Sequence, residues 1–288
     1  MRLVTYREMG RVRLGAIVDD TVIALDGVAP DMLSLIEMGE EGLTRARLAV
    51  ERAEQTSPLD SVDLLAPIPR PRQNVICLGM NYVAHAHESE RARGREPKLP
   101  EFPVFFSKLP QTVCANGDDV PLDPNVTGQL DYEVELACIV GRAGKNISRD
   151  DAMDYVFGYT IINDISARDL QNRHLQFFKG KNLDRACPMG PVIVTADEIG
   201  DPAALGLRLR LNGETRQDSS VSDLIFSIPV CIEFLSLGTT LEPGMVVATG
   251  TPAGVGMGRT PPEYLKVGDV MEAEIDRIGV LRNQIVAA

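Results

Sequence analysis

Histidine is nearly missing from this chain. Only His85, His87 and His174 occur, so a histidine-rich metal site is excluded. Cysteine is sparse and badly spaced for cross-linking. Cys77, Cys114, Cys138, Cys187 and Cys231 are odd in number, lie far apart and form no C-x-x-C pair. They supply no disulfide framework, and those within apolar runs (Cys77, Cys138, Cys231) read as small hydrophobes in a reducing cytoplasm. Positive charge is short as well. With 29 Lys and Arg against 41 Asp and Glu, the net charge is −12. That balance argues against a nucleic-acid or anionic-membrane surface, which needs clustered cations. No apolar run reaches the length of a membrane span. Met1-Arg2-Leu3-Val4-Thr5-Tyr6 has no signal-peptide stretch and already reads as a strand. Internal repeats and low-complexity tracts are absent too.

What is present suits an ordinary globular protein, with 44% hydrophobic and 24% charged residues among 288. That length allows one large domain, or a large and a small one. Residues 1–66 read as a small module, with strands at Arg2–Tyr6, Leu14–Val18 and Thr21–Leu25 and a helix from Glu41 to Gln55. The Pro-rich stretch 67–73 is the expected linker. From 74 to 288 strands dominate and do not alternate strictly with helices, which argues against Rossmann or TIM-barrel folds. Asn212-Gly213 marks a hairpin between Leu207–Leu211 and Glu214–Gln217. Ser148 with Asp151 reads as a capping-box start, and Ser166 as the cap of a helix over Ala167–Leu175. Ser222–Leu237 reads as a helix that Pro229 kinks or splits.

The chemistry gathers around acids in apolar surroundings. Glu133 and Glu135 lie in a segment, 129–140, that runs as a strand into a core. Alternation puts them on the same side, roughly 7 Å apart. Asp164 ends a second apolar strand, Tyr159–Ile162. Carboxylates in such places need a partner, and a divalent cation suited to hard oxygen ligands (Mg²⁺, Mn²⁺ or Ca²⁺) is a natural one. A wet face on an edge strand is the alternative. His85 and Glu88 stand three apart and share a helix face if the segment is helical, so Glu88 can orient His85 as a base. The charged run Ser89–Glu96 reads as a loop or lid. Arg168, Gln171, Lys179 and Lys181 follow Asp164 as counter-charges or as holders of a substrate carboxylate. The Gly-rich stretch Thr249–Gly256 matches neither a P-loop nor a dinucleotide fingerprint. It reads as a tight loop or an anion cradle.

Taken in order, these motifs resemble a family. Gly79-x-Asn81-Tyr82-x-x-His85-x-x-Glu88, Asp131-Tyr132-Glu133-x-Glu135, Asn163-Asp164-x-Ser166-Ala167-Arg168-Asp169-x-Gln171, Lys179-Gly180-Lys181 and Gly250-Thr251-Pro252-x-Gly254-Val255-Gly256 resemble the fumarylacetoacetate hydrolase superfamily. The likeness covers about residues 73 to 286. It implies an α+β, strand-rich fold: the mixed β-sheet roll of the fumarylacetoacetase C-terminal domain, preceded by a small N-terminal α/β module. It also implies Mg²⁺ or Mn²⁺ on Glu133, Glu135 and Asp164, with Ca²⁺ as a substitute. His85 and Glu88 match a catalytic dyad on a lid. Arg168, Gln171, Lys181 and Thr251 match positions lining the substrate site, and Lys179 is the weaker lysine. Asp131 matches a variable position and is left out. Met80 departs from the family, many of whose members carry Arg there. A cytoplasmic homodimer acting on a small keto acid is the implied assembly.

The reaction expected from this resemblance is hydrolysis of a carbon–carbon bond in a 2,4-diketo acid (an acylpyruvate). His85–Glu88 would activate water, and the metal and Lys181 would stabilise a pyruvate enolate. Oxaloacetate decarboxylation is the alternative, followed by isomerisation or hydration of an unsaturated 2-keto acid. All of these use the same inner site. A non-catalytic binder is disfavoured because every matched position is filled.

Overall fold

The computed structural model describes residues 1–94, 96, 98–174 and 176–288. Its spine is a 12-stranded mixed sheet. The main path runs Thr56–Pro58, Thr21–Ala24, Arg11–Val18, Arg2–Glu8, Cys187–Thr195, Val156–Asn163, Val134–Val140, Val246–Ala248, Val75–Gly79, Val104–Lys108. Most neighbours are antiparallel, but Val246–Ala248 runs parallel to Val75–Gly79. Strand Val134–Val140 is central, and all seven of its residues are buried. Covering on both faces explains its nearly continuous apolar sequence.

Residues 1–66 join this sheet directly. Arg2 and Leu3 pair with Val194 and Ile193. Leu3, Leu14, Leu35 and Ile36 share one apolar cluster with Cys77, Ala137 and Ile193. A second, five-stranded sheet packs over the other face, in the order Glu214–Ser220, Gly206–Leu211, Val270–Ile275, Gly279–Ala287, Asp119–Leu122. Gly206–Leu211 and Val270–Ile275 bury every second residue, the period-two pattern of a half-covered sheet. The expected hairpin turn is present, with Asn212 and Gly213 both at positive φ (53° and 81°), as a type I′ turn requires.

Three local expectations change. Ser166 does not cap the helix at Arg168–Arg173, where Ala167 is the N-cap. The Ser166 hydroxyl donates instead to the Asp164 carbonyl at 2.8 Å. The far end expected for that helix, Leu175, lies outside the described residues. Pro229 neither kinks nor splits a helix. It sits in the first turn of Ile228–Ser236, where its missing N–H costs nothing. The stretch from Asn81 is also more ordered than its charge suggested, because Val83–Ala92 is a helix. Arg95, within the expected lid, and Pro97, just beyond it, lie outside the described residues. All five cysteines are free and buried, as small hydrophobes should be.

Candidate active site

The acidic cluster is built where two central strands end side by side. Val134 pairs with Asn163 and Glu135 with Ile162. The Asn163 side-chain carbonyl accepts from the Glu133 N–H at 2.9 Å, and the Asp164 N–H donates to the Glu133 carbonyl at 2.8 Å. This crossing puts Glu133, Glu135 and Asp164 together, each offering an oxygen within 4.8 Å of the others. Their exposures are 4%, 1% and 0%, so the wet-edge alternative is excluded.

Buried cations surround them. Lys181 Nζ donates to Glu133 Oε2 at 2.7 Å and Asp164 Oδ2 at 2.6 Å. Lys108, itself 0% exposed, spends all three ammonium protons. It donates to Asp164 Oδ1 (2.6 Å), the Ile165 carbonyl (3.0 Å) and the Lys181 carbonyl (2.6 Å). Arg168 bonds Asp131 Oδ2 through Nε at 2.8 Å and places Nη2 2.7 Å from Glu133 Oε1. Its Nη1 donates to Gln171 at 3.1 Å. Burial works to raise the Glu133 pKa, but Arg168 and then Lys181 overcome it and hold the group well below the carboxylate range. Burial likewise opposes the Lys181 charge, but Asp164 and Glu133 outweigh it, so the ammonium is retained.

Glu135 is different. Among the described residues no cation pairs with it, and the Gly250 N–H at 2.9 Å is its donor. Burial, and then the charges of Asp164 and Glu133, push its carboxyl well above the ordinary range. Four buried acids, counting Asp131, thus face three cations. The donor set is all oxygen, and the cluster is one positive charge short only when Glu135 is ionised, which is the state a bound cation would favour. A hard divalent cation fits both features.

Helix Val83–Ala92 covers the cluster. His85, Ser89 and Arg93 are spaced four apart, so they form one stripe on its inner side. They line a cavity of about 20 Å³ together with Glu133, Glu135, Arg168, Gln171, Lys181 and Thr251. That is room for about one water. Glu88 lies off this stripe and faces a larger outer cleft of about 1120 Å³. Its carboxylate accepts from the Gly254 N–H at 3.0 and 3.1 Å, and Oε2 stands 3.5 Å from His85 Nδ1. The His85–Glu88 contact is therefore long, and the Gly-rich loop holds the carboxylate more firmly than the imidazole does. Ser89 Oγ lies 3.3 Å from His85 Nε2. Thr251 Oγ1 accepts from Gln217 at 2.8 Å.

Seven of the nine expected site residues thus line one cavity. Asp164 joins Glu133 and Glu135 in the acid cluster without lining the cavity, and Glu88 lies beside the His85 stripe, facing the outer cleft. Lys179 is exposed and takes no part. Met80 lines the cavity at φ 55°, a left-handed backbone unusual for a side chain of its size. Sequence reasoning missed Lys108, whose signal was a lysine closing the apolar strand Val104–Lys108. It also set Asp131 aside. Asp131 anchors Arg168 and accepts from the Gly256 and Met257 N–H groups at 2.7 and 3.0 Å, tying the acid segment to the Gly-rich loop.

Comparison with known proteins agrees with this architecture. The chain is 46% identical over 304 residues to an oxaloacetate tautomerase of Bacillus subtilis (strain 168), covering 99% of this chain and 100% of that one. It is 40% identical over 266 residues to a mitochondrial oxaloacetate tautomerase of Homo sapiens, covering 91% and 82%. Among solved structures, a fumarylacetoacetate hydrolase from Exiguobacterium antarcticum superposes with a TM-score of 0.86 at 40% identity, with both chains fully covered. A maleylpyruvate hydrolase from Sphingobium sp. SYK-6, in complex with manganese(II) and pyruvate, does so at 0.82 and 30% identity, again with full coverage. The family model described as "Fumarylacetoacetate (FAA) hydrolase C-terminal" matches residues 74–286. With the acidic cluster, the covering helix and these matches all falling in one place, the chain belongs to the fumarylacetoacetate hydrolase family.

Proposed function

We propose that this protein is a metal-dependent tautomerase that interconverts the enol and keto forms of oxaloacetate. The full-length likeness to oxaloacetate tautomerases carries this reading. It displaces acylpyruvate hydrolysis as the first choice and favours oxaloacetate as substrate. Mg²⁺ or Mn²⁺ on Glu133, Glu135 and Asp164 would supply positive charge beside the 2-oxygen as a Lewis acid. The remaining work falls to side chains. Lys181 keeps its proton, held by Asp164 and Glu133, so it serves as a hydrogen-bond donor rather than a base. His85 is then the group that moves a proton. It accepts the hydroxyl proton of the enol and returns one to C3, the atom one carbon away. The proton count is unchanged, and no water is consumed. Glu88, on the Nδ1 side of the ring, orients it. Arg168 and Gln171 border the end of the cavity nearest the acids and suit a substrate carboxylate. A cavity with room for about one water admits oxaloacetate only if helix Val83–Ala92 lifts, and its return over the substrate would favour proton return over attack by bulk water.

A second reading, hydrolysis of an acylpyruvate, is favoured by the likeness to maleylpyruvate hydrolase. There His85 would take its proton from water instead. The two separate in one assay. Enol-oxaloacetate, acetylpyruvate and fumarylpyruvate are each given to the Mg²⁺-loaded protein, while enol absorbance and pyruvate are followed. Accelerated loss of enol-oxaloacetate without pyruvate is the expected result. Pyruvate from the diketo acids alone would replace the tautomerase reading with the hydrolase one. Pyruvate and CO₂ from oxaloacetate would mean decarboxylation.

A further inference from the structure

Lys108 is a buried cation that the chemistry above leaves unused. It closes strand Val104–Lys108 and does not line the cavity. A lysine is almost never buried this deeply without a partner, and here one ammonium joins three segments. Its protons go to the Asp164 side chain, the Ile165 carbonyl and the Lys181 carbonyl. The last belongs to the end of the short helix Phe178–Lys181, where carbonyls have no partner inside the helix. Asn182 fastens the same joint. Its side-chain carbonyl accepts from the Leu109 N–H at 2.5 Å, and its amide donates to the Ser107 carbonyl at 3.1 Å. The strand end and the turn carrying Lys181 are thus held together, and the ammonium is fixed between them. Both Asp164 oxygens are engaged, Oδ1 by Lys108 and Oδ2 by Lys181. Oδ2 is the oxygen on the Glu133 side, because Lys181 Nζ bridges it to Glu133 Oε2.

We propose that Lys108 is a positioning residue with two effects. It holds Oδ1 so that the Asp164 carboxylate presents Oδ2 beside Glu133 as a metal ligand. Through the Lys181 carbonyl it also sets where the Lys181 ammonium stands as donor to the substrate. The inference rests on the metal reading of the acid cluster. It predicts a change opposite in sign to that expected from charge alone. Lys108 is a positive charge beside a cation site, so its removal should tighten metal binding if charge is all that it contributes. If it orients Asp164, its removal frees that side chain to turn and weakens metal binding instead.

The test compares the full chain with Lys108→Met, which removes charge and donors, and Lys108→Gln, which removes the charge but keeps an amide donor. Dissociation constants are measured by calorimetry at one fixed pH, for Mn²⁺ and then for oxalate at saturating Mn²⁺. Lys108→Met should weaken Mn²⁺ roughly ten- to a hundredfold, the usual cost of losing a group that orients a ligand. It should weaken oxalate about tenfold, as Lys181 loses its anchor and a charge-assisted contact suffers. Lys108→Gln should fall between. Tighter or unchanged Mn²⁺ binding by a folded Lys108→Met protein would overturn the inference, whatever happens to its melting temperature. If Lys108→Met does not fold, the wild-type chain decides. Its Lys108 ammonium protons, followed by NMR of isotope-labelled lysine, should stay slow to exchange once Mg²⁺ is bound, and loss of that signal on loading would overturn the role. A wild-type protein that binds Mn²⁺ and oxalate but does not tautomerise oxaloacetate would sink the assigned reaction and leave the role of Lys108 standing. One that binds no Mn²⁺ would overturn the metal reading and this inference with it.

Discussion

Glu135 carries the clearest consequence of single-residue placement. It is buried beside two other acids without a cation of its own, and its carboxyl is pushed above the usual range by burial, then by Asp164 and Glu133. A proton held there must leave when a divalent cation arrives. Metal uptake is therefore expected to release a proton, and apparent affinity to fall as pH is lowered. Mn²⁺ titrations in buffers of different ionisation enthalpy measure this, and a buffer-independent heat would contradict it. His85 separates chemistry from metal binding. It lines the cavity but does not belong to the acid triad. His85→Ala should reduce turnover by at least about a hundredfold, the contribution of a positioned base, while Mn²⁺ affinity stays within about threefold. Parallel loss of both would end that division of labour.

At the scale of elements, the covering helix and the Gly-rich loop form one latch. Glu88 bonds the Gly254 N–H, and Gly258 approaches the Glu88 side chain so closely that an added Cβ would lie 2.2 Å from its carboxyl carbon. Gly258 does not need its glycine for a left-handed backbone; it needs the space. Gly258→Ala should displace Glu88, let the His85 ring drift and lower kcat roughly ten- to a hundredfold, the cost of about 1 Å of misplacement. Metal affinity, set by the strands, should not move, and an unchanged kcat would show that Glu88 does not position the base. Asn81 fastens the same region from below. Its side chain donates to the Thr249 and Phe226 carbonyls at 2.8 and 3.0 Å and accepts from the Phe226 N–H at 2.8 Å. The Asn-Tyr pair that reads as a motif is thus a joint between three segments.

For the whole molecule, the decisive fact is that the sheet does not stop at the Pro-rich stretch. Strand Arg2–Glu8 pairs with Cys187–Thr195, and Leu3 and Leu14 share a core with Ala137 and Ile193, close to the strands that carry the acids. Deleting residues 1–66 would uncover a strand edge and a buried apolar face, a combination prone to aggregation. The shortened chain is expected to be poorly soluble and to lose cooperative thermal unfolding. A soluble 67–288 fragment that unfolds in one sharp transition would mean that the catalytic part needs no such cover. Among the described residues, no helix is long and apolar enough to cross a membrane.

Local chemistry made much of this legible in the linear chain. Apolar runs marked the strands, Asn212-Gly213 their hairpin, and acids in apolar runs the metal-ligand candidates Glu133, Glu135 and Asp164, because those signals depend on near neighbours alone. The three-residue spacing of His85 and Glu88 put them on one face if their segment was helical, and helix Val83–Ala92 meets that condition. Long-range packing decided the rest. Lys108 stands 56 residues before Asp164 and meets it only because their strands belong to one folded sheet. Asp131 looked dispensable until the Gly-rich loop, over a hundred residues later, closed on it. Arg93 lay in a charged run with no apolar face, and only the packing of helix Val83–Ala92 turned it toward the cavity. Residue type and spacing specified which groups could do chemistry. Burial, which sets what each charge costs and what must pair with it, came from the tertiary structure alone.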